Sequence, residues 1–99
     1  MRAPERLHFI NPVRIIAYIH AAPGNFLSIR GDWPDGDNWK KPVRMTLVAP
    51  GHWEARILAV QTAEFKVLLD DVLWESGANR VAVPGSSVFV HNLQFSSPK

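Results

Sequence analysis

Turn-forming residues interrupt this chain so often that no long helix can form. Ala21-Ala22-Pro23-Gly24-Asn25, Ala49-Pro50-Gly51, Asp70-Asp71 and Pro84-Gly85 each mark a reversal. Proline fixes φ, while Gly, Asn and Asp accept positive φ. Between the turns lie short runs rich in β-branched and aromatic residues that alternate between two faces. Val13 to His20 puts Val13, Ile15, Ala17 and Ile19 on one face and Arg14, Tyr18 and His20 on the other, with Ile16 departing from strict alternation. Phe26 to Arg30 sets Phe26, Ser28 and Arg30 against Leu27 and Ile29. Further strands are predicted over 43–48, 52–57 (Trp53 pointing inward), 64–69, 72–75 and 80–83. The last, 87–95, alternates Val88, Val90, Asn92 and Gln94 against Phe89, His91, Leu93 and Phe95. About seven or eight short strands with turns roughly every 8–12 residues predict an all-β fold, an antiparallel β-sandwich of immunoglobulin-like type.

The chain has 99 residues, 46% of them hydrophobic, enough for one core and too few for two domains. The expected organisation is an N-terminal extension over 1–12, one domain over 13–95 and a disordered tail over 96–99. Charged residues make up 20% and the net charge is +2. The basic residues are scattered, so no nucleic-acid partner is expected. The lack of cysteine excludes disulfides, thiolate metal sites and a cysteine nucleophile, and is compatible with a reducing cytosol, the favoured location. No apolar run of about 18 residues is present, so no membrane partner is expected. Arg2 and Arg6 precede an apolar stretch ending in Ala21-Ala22, but Asn11, Pro12 and Arg14 interrupt it, and it reads better as a strand than as a leader.

Three segments fit no simple structural pattern: Gly31-Asp32-Trp33-Pro34-Asp35-Gly36-Asp37-Asn38-Trp39, Glu64-Phe65-Lys66-Val67, and Trp74-Glu75-Ser76-Gly77-Ala78-Asn79-Arg80. Loops are usually polar and solvent-facing, so one carrying two tryptophans needs an explanation. On these residues the chain resembles the starch-binding domain, carbohydrate-binding module family 20. In that family a strand ending in Gly leads to a loop with a tryptophan. An aromatic-Lys pair and a Trp-Glu-x-x-x-Asn-Arg run follow. The counterparts here are Ile29-Arg30-Gly31, Trp39, Phe65-Lys66 and Trp74 to Arg80, spread over nearly the whole chain. Where the family usually places Leu-Gly before its tryptophan, this chain has Trp33 to Asn38. Asn38-Trp39 also fits the related glycogen-binding family 48.

The resemblance implies non-catalytic binding of α-1,4-glucan (starch, glycogen or maltooligosaccharide). Trp39 and Trp74 would stack on sugar rings, Lys66, Glu75 and Asn79 would hydrogen-bond, and Trp33 would share or replace the role of Trp39. A glucan-active enzyme of the same pathway is an expected partner. The family often has a second sugar site with exposed tyrosines. The one tyrosine here, Tyr18, lies in a predicted strand, and that site is not carried over. The chemistry of the first site stands apart from the family. A glucose ring has an apolar C–H face that a flat indole can cover, and a rim of hydroxyls that needs directional partners. Two indoles at an angle match two successive rings of a curved chain. Lys donates, a carboxylate accepts, and the Asn amide does both.

Each residue also has a plainer reading. Trp74 can be core, Lys66 can snorkel to solvent, Glu75 and Arg80 can form a surface ion pair, and Asn79 can serve only as a turn residue. Asp32, Asp35 and Asp37 lie close together but lack the frame of a calcium loop, and His8, His20, His52 and His91 show no metal-ligand spacing. No metal or other cofactor is expected. Nothing resembles the paired carboxylates of a glycosidase or a nucleophile elbow, so no enzyme activity is expected. The alternative function is a protein-interaction sandwich that has lost sugar binding.

Overall fold

The structure is a computed structural model that describes residues 11–95. The expected tail, and all of the expected extension except Asn11 and Pro12, lie outside the described residues. Among the described residues nine strands follow one another: β1 (Asn11–Tyr18), β2 (Leu27–Gly31), β3 (Val43–Arg44), β4 (Thr46–Ala49), β5 (His52–Ala59), β6 (Ala63–Leu69), β7 (Leu73–Trp74), β8 (Arg80–Ala82) and β9 (Ser87–Val90). They form two sheets, a β-sandwich. The first sheet has the order β4-β5-β1-β9, and the second β3-β2-β6-β7, with β8 also paired to β6. Pairing is antiparallel except between β1 and β9, which run parallel. Among the described residues no helix is long and apolar enough to cross a membrane.

The period-two alternation explains which side chains meet between the sheets. Val13, Ile15 and Ala17 of β1 and Trp53, Ala55, Ile57 and Ala59 of β5 face Leu27 and Ile29 of β2 and Phe65 and Val67 of β6. Each fully buried Ile, Leu or Phe contributes roughly 1.5–3 kcal/mol. Trp53 settles its one polar atom by donating from Nε1 to the Ile19 carbonyl at 3.0 Å. Ile16 points to the outer face yet is buried, because its register neighbours Glu54 and Phe89 flank it on both sides.

Two expected strands are corrected. The strand expected over 43–48 divides at Met45, where the chain leaves one sheet for the other: β3 pairs with β2 and β4 with β5. Met45 is buried at the crossing, and its N–H donates to the Leu27 carbonyl at 2.9 Å. An unbranched thioether suits such an irregular gap. The strand expected over 87–95 stops at Val90, and Asn92 at φ 56° turns the chain away. Gln94 and Phe95 then join the other sheet, where the Gln94 carbonyl accepts from the Ser76 N–H at 2.8 Å and Phe95 bridges to Glu75. The Asp70-Asp71 turn is as expected: both residues have positive φ, 55° and 53°, and the Val72 N–H closes it onto the Leu69 carbonyl.

Candidate functional site

The outer face of the second sheet is built from the residues of β2, β6 and β7 that alternate away from the core. Arg30 stands opposite Lys66, and Leu68 stands opposite Trp74. This register places Trp74 on the surface, 43% exposed. Trp39 reaches the same face from the loop after β2. The two indoles meet with ring centroids 6.2 Å apart and planes inclined at 42°.

The loop that delivers Trp39 folds in two steps. Pro34–Gly36 makes a single 3-10 turn, and then Asp37, Asn38 and Trp39 all adopt positive φ, 49°, 53° and 75°. Asp and Asn tolerate this region, whereas a bulky residue pays about 1–3 kcal/mol and stays only where its surroundings over-determine it. Here three backbone bonds do so: Trp39 N–H to the Gly31 carbonyl, Lys40 N–H to Asp37, and Lys41 N–H to Gly36, at 2.9, 3.1 and 3.0 Å.

Arg30 adds a side-chain clamp. Its Nη1 donates to the carbonyls of Trp39 and Lys40 at 2.9 and 2.8 Å. Its Nε and Nη2 donate to the two carboxylate oxygens of Asp71 at 3.0 and 2.7 Å. Ser28 Oγ donates to Asp71 as well, at 3.0 Å. The hydrogen bond from Arg30 holds the Asp71 carboxyl below the usual carboxylate range against the opposing effect of burial, with help from the Ser28 hydroxyl and the guanidinium charge.

The polar residues singled out in the sequence divide. Lys66 Nζ donates to the backbone carbonyls of Glu75, at 3.2 Å, and Gly77, so it pins the 75–79 loop. Asn79 is exposed and donates from Nδ2 to Glu64 Oε1 at 2.8 Å. Two candidates are corrected. Glu75 is only 3% exposed. Its carboxylate accepts from the Val67 N–H at 2.9 Å and from Arg80 Nε at 2.9–3.0 Å, so it is part of the frame and offers no oxygen to a ligand. The surface ion pair between Glu75 and Arg80 is therefore one-sided, with its carboxylate inside.

Trp33 is 2% exposed and belongs to the core. Its indole lies on Gly31 and Gly36, where a Cβ on Gly31 would stand 2.1 Å from a Trp33 ring carbon and 2.4 Å from the Glu64 carbonyl oxygen.

Sequence reasoning missed Arg30, Asp71 and Glu64. Arg30 was legible as an outward residue just before the Gly31 loop, but its partners lie 9 to 41 positions away. Two histidines separate in sequence, His52 and His91, come together elsewhere against Tyr18. On the outer face of the first sheet, Tyr18 stacks on His91 with centroids 4.8 Å apart and leans on His52 at 5.2 Å. Among the described residues no group of three or more His, Asp or Glu is placed to hold a metal ion.

No protein-family model matches the chain, and no curated protein matches its sequence. Its likeness is to solved structures. A glycoside hydrolase family 15 glucoamylase from Hypocrea jecorina superposes with a TM-score of 0.70 at 19% sequence identity. The match covers 90% of this chain but 18% of that one. The small share locates the likeness in a minor part of the enzyme, and at this identity it establishes the fold alone.

Proposed function

We propose that this domain binds α-1,4-glucan chains without cleaving them, on the surface carried by Trp39 and Trp74. The observation that carries this reading is the indole pair itself, two rings at 6.2 Å and 42° on one outer sheet face. Each ring covers the apolar face of one glucose, and the inclination follows the turn between successive α-linked sugars. Lys66 has a third ammonium hydrogen beyond its two backbone contacts, and the exposed Asn79 amide adds both donor and acceptor to the rim. Glu64, Glu75 and Asp71 are tied into the hydrogen-bond network around the pair. They accept from Asn79, Arg80 and Arg30, which suits a holding role over an acid-base one. The likeness in fold to a small part of a glycoside hydrolase supports a role beside such an enzyme.

The surface is shallow, so affinity should lie in the range of about micromolar to millimolar, raised by tethering to an enzyme or by repeated contacts along one polymer. The test is an NMR titration with maltoheptaose, following the four indole N–H signals, with cellohexaose as control. Shifts of two indole signals with the α-glucan alone support the reading. Four unmoved signals at millimolar sugar defeat it and leave a protein-interaction surface as the better account.

A further inference from the structure

The guanidinium of Arg30 is divided between two loops that lie outside the strands. One half holds the carbonyls of Trp39 and Lys40, and the other grips both oxygens of Asp71. The first loop, between β2 and β3, carries Trp39 itself. The second is the turn from β6 into β7, and Trp74 follows Asp71 by three residues. Both loops pass through left-handed backbone, at Asp37, Asn38 and Trp39 and at Asp70 and Asp71. Such backbone keeps its geometry only where neighbours enforce it. A planar fork with five donors holds its directions in one fixed geometry, whereas an ammonium on a flexible stem leaves the angle between its bonds free to vary.

We infer that Arg30 is a positioning residue for the indole pair: shared between the Trp39–Lys40 backbone and Asp71, it fixes the angle at which Trp39 meets Trp74 before any ligand arrives. The effect on affinity rests on the glucan-binding reading, but the positioning does not. Without the clamp the Trp39 segment samples several arrangements, and a ligand must order it on binding. That ordering should weaken binding roughly two- to tenfold.

The experiment uses Arg30→Lys and, as a second variant, Asp71→Asn. Two indoles this close couple their transitions, and the resulting exciton couplet in far-ultraviolet circular dichroism depends on the angle between them. The couplet is isolated in ligand-free protein by subtracting the spectrum of Trp74→Phe, and maltoheptaose affinity is measured in parallel. The expected result is a diminished couplet and a two- to tenfold loss of affinity in both variants, with cooperative unfolding retained. A merely structural role would lower the unfolding temperature and leave the couplet of the folded protein intact. An unchanged couplet in the variants therefore overturns the inference, whatever happens to affinity. A diminished couplet with unchanged affinity overturns its consequence for binding. If the couplet diminishes while the wild-type protein binds no maltoheptaose, the positioning stands and the glucan-binding reading fails. Should Arg30→Lys not fold, Asp71→Asn decides alone.

Discussion

Glu75 completes a rung of the second sheet with Val67 by using its side chain where a strand would use backbone. The Glu75 N–H donates to the Val67 carbonyl at 2.9 Å, and Glu75 Oε1 accepts from the Val67 N–H at 2.9 Å. The edge of β6 between β7 and β8 is thereby satisfied while residues 76–79 bulge outward as a loop. Arg80, the first residue of β8, caps the same carboxylate. The Trp-Glu-x-x-x-Asn-Arg run is thus a folding unit: Glu75 and Arg80 close the loop that Trp74 precedes and Asn79 rims.

Replacing Glu75 by Ala strands the Val67 N–H in the interior and leaves Arg80 without its partner. The cost should be about 2–3 kcal/mol, the usual range for losing hydrogen bonds to a charged group. In a domain of this size that lowers the unfolding temperature by roughly 10–20 °C. Thermal unfolding followed by circular dichroism measures it. A change of only a few degrees would mean that water takes over the carboxylate's bonds and that the loop is not closed by Glu75.

Trp74 should behave in the opposite way. Its ring is exposed on a short edge strand, so Trp74→Ala should change stability by no more than about 1 kcal/mol while removing maltoheptaose binding. Chemical denaturation and NMR titration of the same sample read both effects. Loss of cooperative unfolding would place the ring in the packing after all, and intact binding would move the sugar site elsewhere.

Much of this was legible in the sequence because the physics is local. Alternation located the core faces of β1, β2, β5 and β6, and the turn residues located the reversals. Trp39 and Trp74 stood out as aromatics that no alternation demanded. What was not legible depends on contacts between distant segments. Glu75 and Trp33 read as surface groups because nothing in the sequence states that Glu75 faces the vacant rung at Val67, or that Gly31 and Gly36 open a slot for the Trp33 indole. The crossing at Met45 was hidden because β3 and β4 read as one continuous run. The Arg30 clamp was hidden because it joins two loops through one side chain.

The positive φ of Trp39 allows a comparison at a single position. Trp39→Ala and Trp39→Gly both remove the indole and should both lose binding. They differ in backbone, because an L-residue in the left-handed region costs about 1–2 kcal/mol that glycine avoids. Trp39→Gly should therefore be the more stable of the two by about 1 kcal/mol in denaturant unfolding. Equal stability would mean that the loop relaxes when the ring is removed and that the ring itself holds the strained backbone.

Gly31 has no such φ requirement, and its need is for space. A methyl group there would meet the Trp33 ring and the Glu64 carbonyl oxygen within 2.4 Å. The carbonyl belongs to the β6 backbone and cannot swing aside, so Gly31→Ala must part β2 from β6 and displace the Trp33 ring as well. A loss of about 1–3 kcal/mol or more is expected, and the loop carrying Trp39 should be disturbed with it. Gly31→Ala combined with Trp33→Leu, which shortens the clashing side chain, should lose less than the sum of the two single changes. Simple additivity in the double-mutant cycle would show that the steric conflict is with the backbone carbonyl alone.

Acid should release the Arg30–Asp71 clamp in a defined window. The carboxyl of Asp71 is held below its ordinary value in the folded protein, chiefly by the hydrogen bond from Arg30. The unfolded chain therefore takes up this proton first as pH falls. The stabilisation is complete above about pH 4, the ordinary range of an aspartate, and is lost progressively as pH drops through the lower folded value. The pair is about a quarter exposed, with side-chain accessibilities of 21% and 25%, so its whole contribution should be about 1 kcal/mol. Urea unfolding of the wild type and of Asp71→Asn across pH isolates it. Glu54 on the other sheet, also lowered, first by its hydrogen bond from Arg14, titrates in both proteins and cancels in the difference. The gap between the two proteins should be constant from neutral pH down to about pH 5 and close below about pH 4. A gap that stays constant through the acid range would mean that Asp71 acts by shape rather than charge, and that the clamp does not depend on an ionised partner for Arg30.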